Sequence, residues 1–275
     1  MRIHHLTAAT LCPLSAQLVN GAGGLLSPGH LVCHCWLIEA SDGLILVDTG
    51  IGTADLADVR GRMGAWFAAL VRPSVDPACT ALARVKQLGF EPRDVRHIVP
   101  THLDLDHAGG LPDFPWATVH CHRDEHAAAL APRTLKDRER YRPQHFVHGP
   151  KWDLRGDEGE GWFGFTGVRA LDGRDDVLLI PLFGHTRGHC GVAVKTRRGW
   201  SLHAGDAYFH HGEMEAPPRC TPALAAFQRI VVTDNRQRLE NQQRLRELVA
   251  AQRDEVEVHS AHCPVEFERA CELPA

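Results

Sequence analysis

Apolar residues run together from Val32 to Ile38 and again from Leu44 to Val47, on either side of Ser41-Asp42-Gly43. This pattern predicts two antiparallel strands joined by a tight turn, with Asp48 at a strand end. From Thr80 to Leu88 the apolar positions Leu82, Val85 and Leu88 recur three apart and Gly89 follows, which predicts a helix and its stop. Val95 to Val99 reads as a buried strand that runs out at Pro100, Thr118 to His122 as another short strand, and Arg123 to Leu130 as an alanine-rich helix. Between Ala131 and Gly167 the periodicity lapses while Pro132, Pro143, Pro150 and several aromatics accumulate, so residues 131–167 are expected to form a loop region covering a substrate site. Strands resume at Val177 to Pro181, Gly191 to Lys195 and Trp200 to His203. Pro222 to Ile230 and Asp234 to Gln252 read as helices, the second with Asp234 as N-cap and a solvated charged face. Val256 to Ser260 gives a last strand and Pro264 to Cys271 a short helix. Strand and helix alternate in the manner of an α/β protein, with no short repeat and no linker.

A length of 275 residues is compatible with one α/β domain, and residues 1–275 are expected to form it. With 44% apolar and 23% charged residues the chain sits at globular averages, which excludes wholesale disorder, collagen and a disulfide miniprotein. A net charge of -4 argues against a protein built to grip phosphate backbones, so nucleic acid is not the expected partner. Residues 3–38 carry no Asp, Glu, Lys or Arg, but Pro13, Gly21, Gly23, Gly24 and Pro28 cut them into pieces shorter than the roughly 20 apolar residues a bilayer requires, so no membrane span is expected. A secretory leader is not expected either, because the single Arg2 is followed by His4 and His5 and the apolar run ends at Pro13. Nine cysteines without a regular framework fit reduced thiols and a cytoplasmic setting. Histidine is the anomaly: 19 residues, more than the 10 Phe, 6 Trp and 2 Tyr together, which puts metal chemistry first.

Five groups of His and Asp follow predicted strands directly: Asp48, His102 to His107, His185, Asp206 and His262. Strand ends on one side of a sheet converge, so such residues can build one site. The densest group is Thr101-His102-Leu103-Asp104-Leu105-Asp106-His107. Four potential ligands in six residues are unsuited to burial unless their charges are neutralised, which a metal does.

This loop resembles that of the metallo-β-lactamase superfamily, whose signature reads His-x-His-x-Asp-His after a strand and a Thr. Val47-Asp48-Thr49-Gly50 is similar to the family's first motif, Gly184-His185-Thr186-Arg187-Gly188-His189 to its third, Ala204-Gly205-Asp206 to its fourth and Ser260-Ala261-His262 to its last. Five motifs in order, spanning roughly Leu31 to Val265, are a specific signal. The resemblance implies an αββα sandwich of two mixed sheets flanked by helices. It also implies two divalent metal ions, one held by His102, Asp104 and His185 and the other by Asp106, His107 and His262, with Asp206 bridging them together with a water. Asp48 would stand behind a ligand histidine. Asp104 replaces the histidine of the commonest motif. Zinc remains the first expectation, and the anionic oxygen opens the site to iron or manganese. A carboxylate at this position is similar to the flavodiiron proteins, where Glu occupies it, but this chain lacks their flavodoxin-like half.

A dinuclear centre of this kind implies a hydrolase: a bridging hydroxide cleaves a small ester-like molecule, whether lactone, ester or thioester. A redox enzyme, a phosphodiesterase and a metal-binding protein without turnover are the alternatives. Asp106 is a candidate proton relay and Tyr208 a candidate donor to the leaving group, although acyl-homoserine lactonases carry the comparable tyrosine one residue later. Lys151, Trp152 and Trp162 are candidates to meet the substrate, and Arg133, Lys136, Arg138, Arg140 and Arg142 give the covering segment a basic tilt. Ordinary packing is expected of His4, His5, His30, His97, His126, His145, His148, His210 and His211, of Cys33-His34-Cys35, and of His189, Cys190 and Cys263. His120 and His122, two apart on a strand, share a face and form a weak further metal candidate.

Overall fold

The structure is a computed structural model and describes residues 1–156 and 158–272. Two six-stranded mixed sheets face each other. The first runs β1 (Arg2–Leu11), β2 (Leu31–Ala40), β3 (Gly43–Val47), β4 (Val95–Val99), β5 (Thr118–His122), β6 (Lys151–Arg155) in spatial order. Its first two pairings are antiparallel and its last three parallel. The second consists of β7 (Glu160–Trp162), β8 (Phe165–Leu171), β9 (Arg174–Pro181), β10 (Cys190–Thr196), β11 (Gly199–His203) and β12 (Val256–His259), antiparallel throughout except for the parallel pair of β11 and β12.

Alternation along each strand sorts its side chains between two cores. In β3, Ile45 and Val47 point into the sandwich, where Trp36, Ile38 and Val99 join Val177, Leu179, Val192 and Val194 of the second sheet. Leu44 and Leu46 point outward, toward Ala81 and Val85 of the helix Ala81–Gln87 and Ala128 of the helix Arg123–Leu130. On the other flank, Ile180, Ala193 and Leu202 meet Leu245 and Leu248 of the helix Asn235–Ala251. The result is the αββα arrangement that the sequence motifs imply.

Two regions depart from the sequence reading. The charge-poor N-terminus is an edge strand, β1, whose buried positions Leu6, Ala8 and Leu11 pack against β2 and the neighbouring loops. Residues 131–167 are not irregular: they contain the helix Leu135–Arg140, β6, β7 and the start of β8. β6 reads as a loop because it is a short edge strand in which no residue is fully buried, with Lys151 and Leu154 exposed on opposite faces. Lys151 pairs with Thr118 at the start of the parallel β5, so it lies at the end of the sheet remote from His102, which follows the end of β4. Trp152 packs on His126 and Phe146. Trp162 is buried against Trp200 in the second sheet's outer core. These three side chains therefore belong to the frame, away from the strand ends where the histidines gather.

Candidate metal centre

The loops that follow β3, β4, β9, β11 and β12 bring their polar residues to one edge of the sandwich. Asp48 follows β3 with φ at 56°, a left-handed conformation that Asp tolerates better than most residues. This turns its carboxylate toward the next loop, where it accepts hydrogen bonds from Thr101 N (2.7 Å) and His107 Nδ1 (2.9 Å). With Nδ1 committed to Asp48, His107 presents Nε2 to the centre. His262 is fixed likewise, its Nδ1 donating to the Val32 carbonyl at 2.8 Å. Asp206 sits after Gly205, whose φ is 54° and where a Cβ would come within 2.6 Å of His189 Nε2, so only glycine fits. That His189 nitrogen accepts the Asp206 backbone N–H at 2.9 Å, so His189 positions the carboxylate from behind.

The two oxygens of Asp206 face different groups. Oδ2 stands 3.4 Å from His185 Nε2 and 3.9 Å from His102 Nε2, and Asp104 Oδ2 lies 3.1 and 3.4 Å from the same two nitrogens. Oδ1 stands 3.1 Å from His262 Nε2 and 3.3 Å from His107 Nε2, with the Asp106 oxygens 3.7 and 3.9 Å from those rings. Donor atoms bound to one ion at about 2.0–2.2 Å stand roughly 3.0–3.6 Å apart, and every separation in the two halves lies inside that range or within a few tenths of an ångström of it. His102 Nε2 and Asp206 Oδ1 are buried without a hydrogen-bond partner, an arrangement that is costly unless a cation satisfies them. The donor set therefore fits two divalent ions. Asp104 and Asp106 are the more open members, their side chains 15% and 12% exposed against 5% or less for the others, and they mark the mouth.

Charge within the cluster is coupled. Burial alone would raise the Asp206 carboxyl, but His262, His107 and His185 outweigh it and hold the group well below the usual carboxylate range. Burial opposes the charged form of His107 and His262, and the surrounding carboxylates nonetheless lift both. His185 is pushed the other way by burial, to about 4, so its ring is neutral.

Two functional residues escape the motif reading. Arg140, the last residue of the helix Leu135–Arg140, places Nη1 2.8 and 2.7 Å from the two Asp104 oxygens and 3.1 Å from His185 Nε2, while Nη2 donates to the Val231 carbonyl. With His102 it overcomes the desolvation of Asp104, whose carboxyl is held far below its ordinary value. In the sequence Arg140 is one basic residue among several; the signal that points to it is Asp104 itself, a buried carboxylate that requires a cation. Glu125 is the second: fully buried, it accepts Leu103 N and Gly188 N, both at 3.0 Å, and so ties the loop carrying His102 to the loop carrying His185.

Tyr208 must be reassigned. It is fully buried in the second sheet's core and its hydroxyl donates to both oxygens of Glu266 at 3.0 Å, which turns it away from the metal ligands. The aromatic that does meet them is Phe209, stacked on His262 at 5.0 Å. His120 and His122 meet different neighbours: His120 bonds His97 and Asp153, each at 2.9 Å, whereas the His122 ring rests on Phe183.

The sequence model of the metallo-beta-lactamase superfamily matches residues 28–258. A probable metallo-hydrolase of Mycobacterium tuberculosis is 38% identical over 265 residues, covering 96% of this chain and 81% of that protein. An N-acyl homoserine lactonase of Bacillus thuringiensis is 28% identical over 194 residues, 70% of this chain and 69% of its own length. Among solved structures, an N-acyl homoserine lactone hydrolase with N-hexanoyl-L-homoserine at its catalytic metal centre superimposes with a TM-score of 0.73 at 24% identity, over 98% of this chain and 96% of that one. Among the described residues no helix is long and apolar enough to cross a membrane.

Proposed function

Since the chain belongs to the metallo-beta-lactamase superfamily and is a metal-dependent hydrolase, we propose that it cleaves a small ester-like substrate, a lactone foremost, at a dinuclear centre spanned by Asp206. The observation that carries this reading is the division of the Asp206 carboxylate, one oxygen facing His102 and His185 and the other facing His107 and His262. Lactonases among the relatives and structural neighbours supply the substrate class. Two divalent ions, zinc first and iron or manganese as alternatives, when bound there lower the pKa of a water toward about 7 and offer positive charge to the carbonyl oxygen.

The chain's own residues do the rest. Asp48 and the Val32 carbonyl fix the tautomers of His107 and His262, so that both rings offer Nε2. Glu125 and His189 hold the loops at the separation the two halves need. Asp106 sits at the mouth and carries the proton from the attacking water to the leaving oxygen as the acyl C–O bond breaks. Phe209 and the buried faces of the rings keep bulk water from that exchange.

The test is an anaerobic assay of lactones, thioesters and phosphodiesters with zinc-, manganese- and iron-loaded protein, alongside elemental analysis. Lactone or ester cleavage without oxygen uptake, at close to two ions per chain, is the expected result. Activity confined to the iron form and dependent on oxygen or an added reductant would overturn it.

A further inference from the structure

β2 passes directly beneath the loop that carries His262. His34 N bonds the Ala261 carbonyl at 2.9 Å, and the Val32 carbonyl accepts His262 Nδ1. Alternation then places the side chain of Cys33 on the face opposite His34. Cys33 is 2% exposed. The other buried cysteines each have a hydrogen-bond partner: Cys35 the Cys33 carbonyl, Cys121 that of His122, Cys190 that of Gly188, and Cys263 the ring of His211. Among the described residues the Cys33 thiol has none. Its sulfur instead lies within 4.8 Å of both an Asp106 oxygen and a His262 ring nitrogen. For a shared ion with a metal–sulfur bond of about 2.3 Å and metal–N or –O bonds of about 2.0–2.2 Å, the sulfur stands at most about 4.5 Å from the other donors. The 4.8 Å bound exceeds that limit by a few tenths of an ångström, so a small inward shift brings the three donors onto one ion.

We propose that Cys33 is a thiolate ligand of the second half-site, joining Asp106, His107, His262 and Asp206. The proposal rests on the dinuclear reading and adds to it a soft donor. The balance is simple: the divalent ion takes the place of the thiol proton, which leaves to solvent, and no electron changes hands. Without an ion the thiol stays protonated, because burial and the nearby Asp106 and Asp206 carboxylates disfavour a second anion there. A thiolate selects zinc, or cobalt and cadmium in its place, over manganese. The first half-site, with Asp104 and no sulfur, admits iron or manganese more readily, so the two positions are chemically distinct. The competing account makes Cys33 a small apolar residue beside Leu31, Ile51 and Phe209. On that account no metal–sulfur bond forms.

X-ray absorption of the zinc-loaded full chain decides between them without any substitution. A zinc–sulfur shell at about 2.3 Å is expected. The cobalt-loaded protein should show a thiolate-to-cobalt charge-transfer band. Both signals should vanish in Cys33→Ser and Cys33→Ala, with zinc at that position weakened at least about tenfold, since even a residue behind a ligand contributes 10–100-fold. Scattering by nitrogen and oxygen alone in protein carrying bound zinc would overturn the proposal, as would a sulfur shell that survives in a folded Cys33→Ser variant. Elemental analysis of the same samples separates the two readings. One ion per chain with sulfur retained removes the dinuclear centre but keeps Cys33 as a ligand, and two ions without sulfur do the reverse. A chain that binds no ion removes both.

Discussion

The half-site of His102, Asp104 and His185 pairs its carboxylate with a guanidinium 2.7 Å away, whereas the Asp106 carboxylate of the other half has imidazoles and the Cys33 thiol beside it and, among the described residues, no arginine. Arg140 also comes within 3.1 Å of His185 Nε2, the nitrogen a metal would use, so an ion entering the first half must displace that hydrogen bond. The charge that Asp104 adds, relative to an imidazole, is therefore cancelled by a residue from a different element. That element is itself anchored. A capping box of Thr134 and Asp137 starts the helix, Arg187 of the His185 loop binds Asp137 at 3.0 Å, and Lys136 donates to the Ile230 carbonyl at 2.7 Å. A single substitution in a metal motif thus rests on a second site 36 residues away along the chain.

The comparison depends first on Asp206, the one residue both halves share. Asp206→Ala should lower metal content below one ion per chain and reduce turnover about 10³-fold or more, the rate equivalent of the several kcal/mol that metal Lewis acidity supplies. Retention of two ions with full activity would show that the halves are independent.

Next in size is the pair that makes the first half unusual. Arg140→Ala leaves the largely buried Asp104 carboxylate with only His102 and His185 beside it and should destabilise the metal-free protein by about 3 kcal/mol. An added divalent ion should restore most of that loss, because it replaces the missing charge, so the variant's Tm should rise further on metal addition than the wild type's. Asp104→His alone strands the arginine instead, while the double variant Asp104→His with Arg140→Ala removes both charges and should recover stability. Thermal unfolding of the four proteins with and without zinc forms a complete cycle. A loss in the double variant equal to the sum of the two single losses would show that the two residues are not a unit.

The same pair explains what the sequence made legible. Asp48, the His102 to His107 loop, His185, Asp206 and His262 announce themselves because metal ligation dictates residue type and the loop motif dictates spacing, and the fold follows from those motifs in order. Arg140 and Glu125 follow no such spacing. Each acts through a buried contact between elements distant in sequence, and any basic or acidic residue nearby would look the same. Cys33 is hidden for the opposite reason: a thiol on a buried strand face satisfies the apolar pattern. β6 and the helix Leu135–Arg140 were obscured by their exposed polar faces, which mask short elements at a sheet edge.

The smallest effect is expected at Tyr208, and it tests whether anything outside the two halves takes part in the reaction. Tyr208 and Phe209 are adjacent yet face opposite ways, the ring of Phe209 over His262 and the hydroxyl of Tyr208 on Glu266 of the helix Pro264–Glu272. Glu266 also accepts Ser260 N at 2.7 Å, so the phenol helps fix the start of the loop that ends in His262. Burial and the Glu266 carboxylate push the phenol far above its ordinary value, which keeps it protonated and donating. Tyr208→Phe removes one buried hydrogen bond to a carboxyl group, worth about 1–3 kcal/mol, and should lower Tm while leaving metal content and kcat within about twofold of the wild type. A folded Tyr208→Phe variant with two ions and a kcat reduced tenfold or more would place the hydroxyl at the reacting bond. It would also show that the buried geometry opens during turnover.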